Sequence, residues 1–83
     1  MTRAERLWII SAVGGDRPGI VAQVTKALFR LGCNLEDSAM TRLGGEFAIM
    51  LVCSSRASLS QERMDAALAP MARRLRLAVH AKP

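Results

Sequence analysis

Apolar positions along the chain alternate between a two-residue and a 3.6-residue period, and each change of period marks an element boundary. From Arg6 to Val13 the sequence is short, apolar and rich in β-formers, with Leu7, Ile9 and Val13 on one face and Trp8, Ile10 and Ala12 on the other. Two apolar faces predict a central strand covered, at least in part, on both sides. From Pro18 to Leu31, the residues Ile20, Val21, Val24, Ala27, Leu28 and Leu31 recur at i, i+3, i+4, i+7 spacing, the pattern of an amphipathic helix. Phe29 lies off that stripe and, as an exposed large aromatic, marks a contact surface. Gly32 follows as a natural left-handed terminator.

Cys33 to Leu43 alternates without producing a purely apolar face, which predicts an irregular edge strand carrying a bulge. Gly44-Gly45 suits a tight primed hairpin turn. Glu46 to Cys53 returns as a strongly hydrophobic strand, and Ser54 to Ala57 reads as a loop. Ser58 with Gln61 resembles a capping box. Leu59, Met64, Ala67, Leu68 and Met71 then form a second helical stripe to about Arg73, in which Pro70 predicts a kink or the last straight turn. Leu75, Leu77 and Val79 alternate with Arg76, Ala78 and His80 as a one-sided edge strand.

The order is therefore β-α-β-β-α-β. With right-handed crossovers this is an α+β, ferredoxin-like sandwich: a four-stranded antiparallel sheet with both helices on one face, its first and third strands central. No linker or repeat interrupts the series, so residues 1–83 read as a single domain. Trp8, Ile10 and the outer face of the third strand are expected to leave an apolar patch on the sheet, which implies that an isolated subunit is not the working unit.

Composition narrows the function classes. Hydrophobic residues at 51% and charged residues at 23% are an ordinary globular mix. No apolar run approaches the roughly 20 residues of a membrane span, and the start leads directly into the first strand pattern, so a cytoplasmic protein without a signal peptide is expected. A net charge of +5 raises the question of nucleic acid. The cations are scattered except for Arg73-Arg74-Leu75-Arg76, and Trp8, Phe29 and Phe47 are the whole aromatic supply, so direct nucleic-acid binding is not expected. Cys33 and Cys53 lack metal or redox spacing and read as buried structural thiols, and His80 is the sole histidine. No metal, cofactor or catalytic residue is expected.

The joint between the first strand and the first helix, Gly14-Gly15-Asp16-Arg17-Pro18-Gly19-Ile20, is the main candidate for chemistry. Pro18 suits the first helical position. Gly15 and Gly19 let backbone or ligand approach closely. The amides of Gly19, Ile20 and Val21 would then lack intrahelical partners and could receive a carboxylate or phosphate. The joint is not a Walker loop, because no Gly-Lys-Ser or Gly-Lys-Thr follows.

Three stretches carry a family resemblance: Gly15-Asp16-Arg17-Pro18-Gly19-Ile20-Val21, Gly32-Cys33-Asn34-Leu35-Glu36-Asp37-Ser38, and Met40-Thr41-Arg42-Leu43-Gly44-Gly45-Glu46-Phe47. Together they resemble an ACT domain over nearly the whole chain. The nearest resemblance is to the ACT domains of glycine cleavage system transcriptional repressors, with the amino-terminal ACT domain of formyltetrahydrofolate deformylase more distant. It implies a regulatory module that binds a small amino acid, glycine or serine in type, between two ACT domains and controls metabolism or transcription through a partner protein. The implied ligand contacts are Asp16, Arg17, Pro18, Gly19 and Ile20 at the joint, with Asn34 and Leu35 opening the second strand. Glu36, Asp37 and Phe29 are implied as ligand or interface residues. Side-by-side pairing into an eight-stranded sheet is the implied assembly, a homodimer or larger. Such repressors carry two ACT domains where this chain has one, and a homodimer would restore the pair. Two alternatives remain: a ligand-free protein-interaction module, and an acylphosphatase-like enzyme using Arg17 and Asn34.

Overall fold

The computed structural model describes residues 5–83. The elements are β1 (Glu5–Gly15), α1 (Ile20–Arg30), β2 (Asn34–Leu43), β3 (Glu46–Arg56), α2 (Gln61–Leu75) and β4 (Ala78–Lys82). They form one antiparallel sheet in the order β2-β3-β1-β4, so the two most apolar strands are central and the two mixed strands are edges. This is the expected ferredoxin-like arrangement.

Strand register sorts the side chains. Trp8, Ile10 and Ala12 of β1 stand opposite Cys53, Leu51 and Ile49 of β3, and all six are buried beneath the helices. Against them pack Ile20, Val24 and Leu28 of α1 and Met64, Leu68 and Met71 of α2. Each helix thus buries one stripe, as its period requires. The expectation that Trp8 and Ile10 lie on the open face is overturned. The open face carries Leu7, Ile9 and Val13 instead, and Trp8 turns inward because its indole N–H donates to the buried Ser55 hydroxyl at 2.9 Å.

Several boundaries move for local reasons. Helix α1 begins at Ile20, two residues later than Pro18 suggests, with Gly19 as its N-cap at φ 84°, ψ −1°. Those angles are the third position of a type II turn, where proline is favoured one residue earlier, so Pro18-Gly19 builds the turn and the helix follows it. The far end matches expectation: Gly32 is left-handed at φ 80°, and the Gly32 and Cys33 amides donate to the Phe29 and Leu28 carbonyls in a Schellman closure. Strand β3 continues through Ser54 and Ser55 to Arg56, where a loop was expected. The cap of α2 is Ser60, not Ser58; its hydroxyl accepts the Arg63 amide at 3.1 Å. Helix α2 runs through Pro70 to Leu75, and Arg76 in the left-handed region (φ 55°) closes it, so Leu75 and Leu77 lie outside β4.

The bulge expected in β2 is present. Leu35 pairs with Cys53 and Asp37 with Val52, leaving Glu36 as the extra residue. Gly44 and Gly45, both at positive φ, close a two-residue hairpin of the primed kind.

Candidate functional site

The joint between β1 and α1 sits at the hairpin end of the sheet and is tied down on two sides. Toward the hairpin, the Asp16 amide donates to the Gly45 carbonyl at 3.2 Å, and the Asp16 carboxylate pairs with the Arg42 guanidinium at 2.8 Å. Arg42 also lies over the Phe47 ring, 5.7 Å from its centroid. Toward α2, the Arg17 guanidinium donates to the Leu75 carbonyl. Directly below the joint, Gly14 meets the turn after α2: a Cβ there would fall 2.6 Å from Leu77 Cδ2 and 2.9 Å from the Arg76 oxygen. The close approach expected at Gly15 therefore belongs to Gly14, since a Cβ added at Gly15 would meet nothing within 4 Å.

Asp16, Arg17, Pro18, Gly19 and Ile20 line one depression of about 300 Å³, together with Val21, Ala22, Arg42 and Phe47. No side chain caps α1, no acid occupies its first turn, and the first intrahelical bond runs from the Gln23 amide to the Gly19 carbonyl at 3.0 Å. The donors available to an anion are therefore the amides of Ile20, Val21 and Ala22, one residue further along than expected. They border a depression lined by two cations: Arg42, paired with Asp16, and Arg17, which donates to the Leu75 carbonyl. Arg42 and Phe47 were missed as lining residues, although a two-residue Gly44-Gly45 turn makes them cross-strand partners by counting outward from the hairpin.

The other candidates gather at the opposite end of the sheet. Asn34 pairs with Ser54, whose hydroxyl donates to Glu36 at 2.7 Å, and Asp37 accepts its neighbour Ser38's amide at 2.8 Å. Leu35 and Phe29 line a depression of about 370 Å³ between α1 and β2, with Cys33 and Cys53 at its floor. Phe29 is 77% exposed. Both thiols are free, and burial raises their pKa. Cys53 is pushed up to about 11, first by desolvation and then by Cys33 and Glu36 nearby, so both stay protonated at neutral pH.

Asn34 and the joint are thus not neighbours within one chain. The ten residues of β2 lie between them, roughly 30 Å at strand rise. Arg17 and Asn34, which acylphosphatase-like chemistry would need together, are held apart by the same distance. Among the described residues, no group of three or more His, Cys, Asp or Glu is placed to hold a metal ion. No described helix is long and apolar enough to cross a membrane.

A sequence model described as "ACT domain" matches residues 6–82, essentially the whole fold. The chain belongs to the ACT domain family. Its relatives include the glycine cleavage system transcriptional repressor of Escherichia coli K12, 46% identical over 46 residues that cover 55% of this chain and 24% of the repressor. A UPF0237 protein of Methanopyrus kandleri is 43% identical over 61 residues, covering 72% of this chain and 63% of the relative. The match thus spans about a quarter of the repressor's length and under two thirds of the second protein. Among solved structures, an ACT domain protein from Streptococcus pneumoniae superposes with a TM-score of 0.85 at 29% identity, covering 96% of this ACT domain and 90% of that chain. A formyltetrahydrofolate deformylase from Pseudomonas putida reaches the same TM-score at 21% identity, over 94% of this chain and 29% of its own, a likeness of fold alone. This ACT domain is accordingly a member of a regulatory family, with homology to a transcriptional repressor.

Proposed function

We propose that this ACT domain senses a small amino acid, glycine or serine in type, at a seam between two copies, and passes the signal to a partner protein. One observation carries the reading: the joint leaves three helix-start amides without a capping side chain, beside a depression of amino-acid size. A ligand carboxylate would accept from Ile20, Val21 and Ala22, with the helix dipole adding about 0.3–1 kcal/mol, more if the site closes over. The ammonium would meet Asn34, aided by Glu36 or Asp37. Because Asn34 lies at the far end of β2, it would come from the second copy. Antiparallel pairing of two β2 edges sets the start of one strand against the end of the other, and so sets Asn34 of one copy near the joint of its partner. The β2 edge is exposed along all ten residues and suits such pairing.

Calorimetric titration with the common amino acids tests the reading. Heat of binding is expected for glycine or serine, reduced at least about tenfold in affinity by Asn34→Ala. Absence of heat for every amino acid overturns it. A second reading, a ligand-free docking module, is favoured by the exposure of Phe29 beside Leu35. A partner retained equally with and without amino acids would support that alternative.

A further inference from the structure

Acidic residues are unevenly spread over the fold. Glu62 and Asp65 lie in the first turns of α2, where Asp65 borders the β4 side; the other acids stand on strands or at the joint. Helix α1 and the rest of α2 carry none. A depression of about 280 Å³ runs between these two helices. Ala27 and Leu31 of α1 and Ala67 and Met71 of α2 are its half-buried or buried lining, while Lys26, Arg30 and Arg74 stand exposed along it. Among the described residues, the one salt bridge joins Arg42 to Asp16, so these three cations have no carboxylate partner.

Helix electrostatics explains part of this pattern. Cations in a last turn complement the helix dipole, which accounts for the choice of Arg30 and Arg74. It does not account for Lys26 in the middle of α1, nor for the direction of Arg74, whose guanidinium donates across the groove to Gln23 Oε1 at 3.3 Å. We infer that the groove docks an acidic amphipathic helix of a partner protein. Charge complementarity selects the acidic partner. The shape selects a helix: two packed helices offer a third one ridges and grooves, and the small Ala27 and Ala67 let it approach closely. Lys26 and Arg30 are one turn apart on α1, so two acids one turn apart on a helix laid along α1 meet both. Arg74, on the opposite wall, meets an acid on the other flank. An extended peptide would instead hold its backbone amides and carbonyls over an apolar floor that offers no strand edge to pair with. A nucleic-acid backbone gains nothing from Leu31 and Met71, and no lining residue is an aromatic that could stack a base.

Helix α1 borders both this groove and the joint. Ile20, Val21 and Ala22 line the depression at the joint, and Gln23, Lys26 and Arg30 line the groove within the next turns. The groove thus gives the partner of the proposed function a place to dock, and it rests on that reading. The contact itself needs no amino acid at the joint.

Fluorescence anisotropy, without amino acids, tests the docking with a labelled alanine-based helical peptide of about 16 residues. That probe carries a leucine stripe flanked by glutamates one turn apart; a second probe has lysine for every glutamate, and a third is a labelled DNA duplex. The acidic peptide is expected to bind in the micromolar range, and the other two at least about tenfold more weakly. Lys26→Glu and Arg74→Glu should each weaken the acidic peptide about threefold to tenfold, and Lys26→Glu with Arg30→Glu should turn the preference toward the lysine peptide. Lys82→Glu makes the same change in net charge beside Ile9, on the sheet face away from the helices. It should alter binding by less than about twofold, since salt screens its reach to about 8 Å. Thermal melts confirm that the variants fold; if Arg74→Glu does not, the two peptides on the unaltered chain still decide. No binding of the acidic peptide, equal binding of both peptides, tighter binding of the duplex, or groove variants no weaker than Lys82→Glu overturns the docking. Glycine calorimetry reads the joint separately: heat without peptide binding overturns the groove alone, and peptide binding without heat overturns the sensor alone.

Discussion

Gly14→Ala and Gly15→Ala should change stability in opposite directions, although the two glycines are adjacent in β1. At Gly14 the added methyl would lie 2.6 Å from Leu77 Cδ2 and 2.9 Å from the Arg76 carbonyl oxygen. Carbon pairs settle near 3.5–4.0 Å, so the neighbours must give by about an ångström. Leu77 is buried in the core, and the Arg76 carbonyl belongs to the turn that closes α2, where the Leu77 amide donates to Ala72 at 2.8 Å. Neither yields freely. Overpacking of this kind costs about 1–3 kcal/mol, offset by about 0.4–1 kcal/mol from the stiffer unfolded chain. The expected net loss is about 1–2 kcal/mol, or a fall in melting temperature of roughly 5–15 °C for a domain of this size. At Gly15 a methyl meets nothing within 4 Å, and the backbone is outside the left-handed region. There the unfolded-state term stands alone, and a gain of about 0.4–1 kcal/mol is expected. Thermal melts of the two variants beside wild type decide the matter. Equal shifts, or a neutral Gly14→Ala, would refute the contact between β1 and the α2 turn, and with it the account of how the joint is positioned.

Three further outcomes follow from the same geometry. Stability should fall as pH rises from about 9 to about 11, because the unfolded chain ionises its Cys53 and Cys33 thiols while the fold holds their protons; Cys53→Ala should reduce that decline in denaturant midpoints measured across the range. Arg76→Gly should gain about 0.5–1 kcal/mol by chemical denaturation, since left-handed backbone costs a side-chain residue about 1–2 kcal/mol and glycine returns part of it in chain entropy. Ser60→Ala should lose about 1 kcal/mol in the same assay through its cap on the Arg63 amide, whereas Ser58→Ala should be near neutral.

The sequence was most legible where one physical preference acted alone. Helix stripes, the Gly44-Gly45 turn, the left-handed Gly32 and the β2 bulge all emerge from local period or local backbone freedom, and all are present. It was least legible where two preferences competed. Leu7 and Trp8 begin equally apolar faces of β1, and the deciding fact is a hydrogen bond from the indole to Ser55, more than forty residues away. Pro18 suits a first helical turn, yet Pro18-Gly19 suits a type II turn better, and the turn prevailed. Ser58 and Ser60 both precede α2, and only the chain's path chose between them. Arg76 ends α2 without the glycine that would have marked it, so Leu75 and Leu77 read as strand.

The candidate site shows the same division at a larger scale. The joint could be found from Gly, Pro and the onset of a helical stripe, and its lining by Arg42 follows from hairpin counting. Its relation to Asn34 could not be read from motif spacing, because the fourteen residues between Gly19 and Asn34 say nothing of where a strand starts and ends. Sheet order supplies that: β1 runs toward the hairpin and β2 runs toward it as well, both antiparallel to the β3 between them, so the end of β1 meets the end of β2. The residue opening β2 is thereby driven to the opposite end. A ligand small enough for the depression at the joint cannot bridge that length in one chain. If Asn34 and the joint serve one ligand, a second copy has to deliver one of them, and oligomerisation becomes part of the site's chemistry.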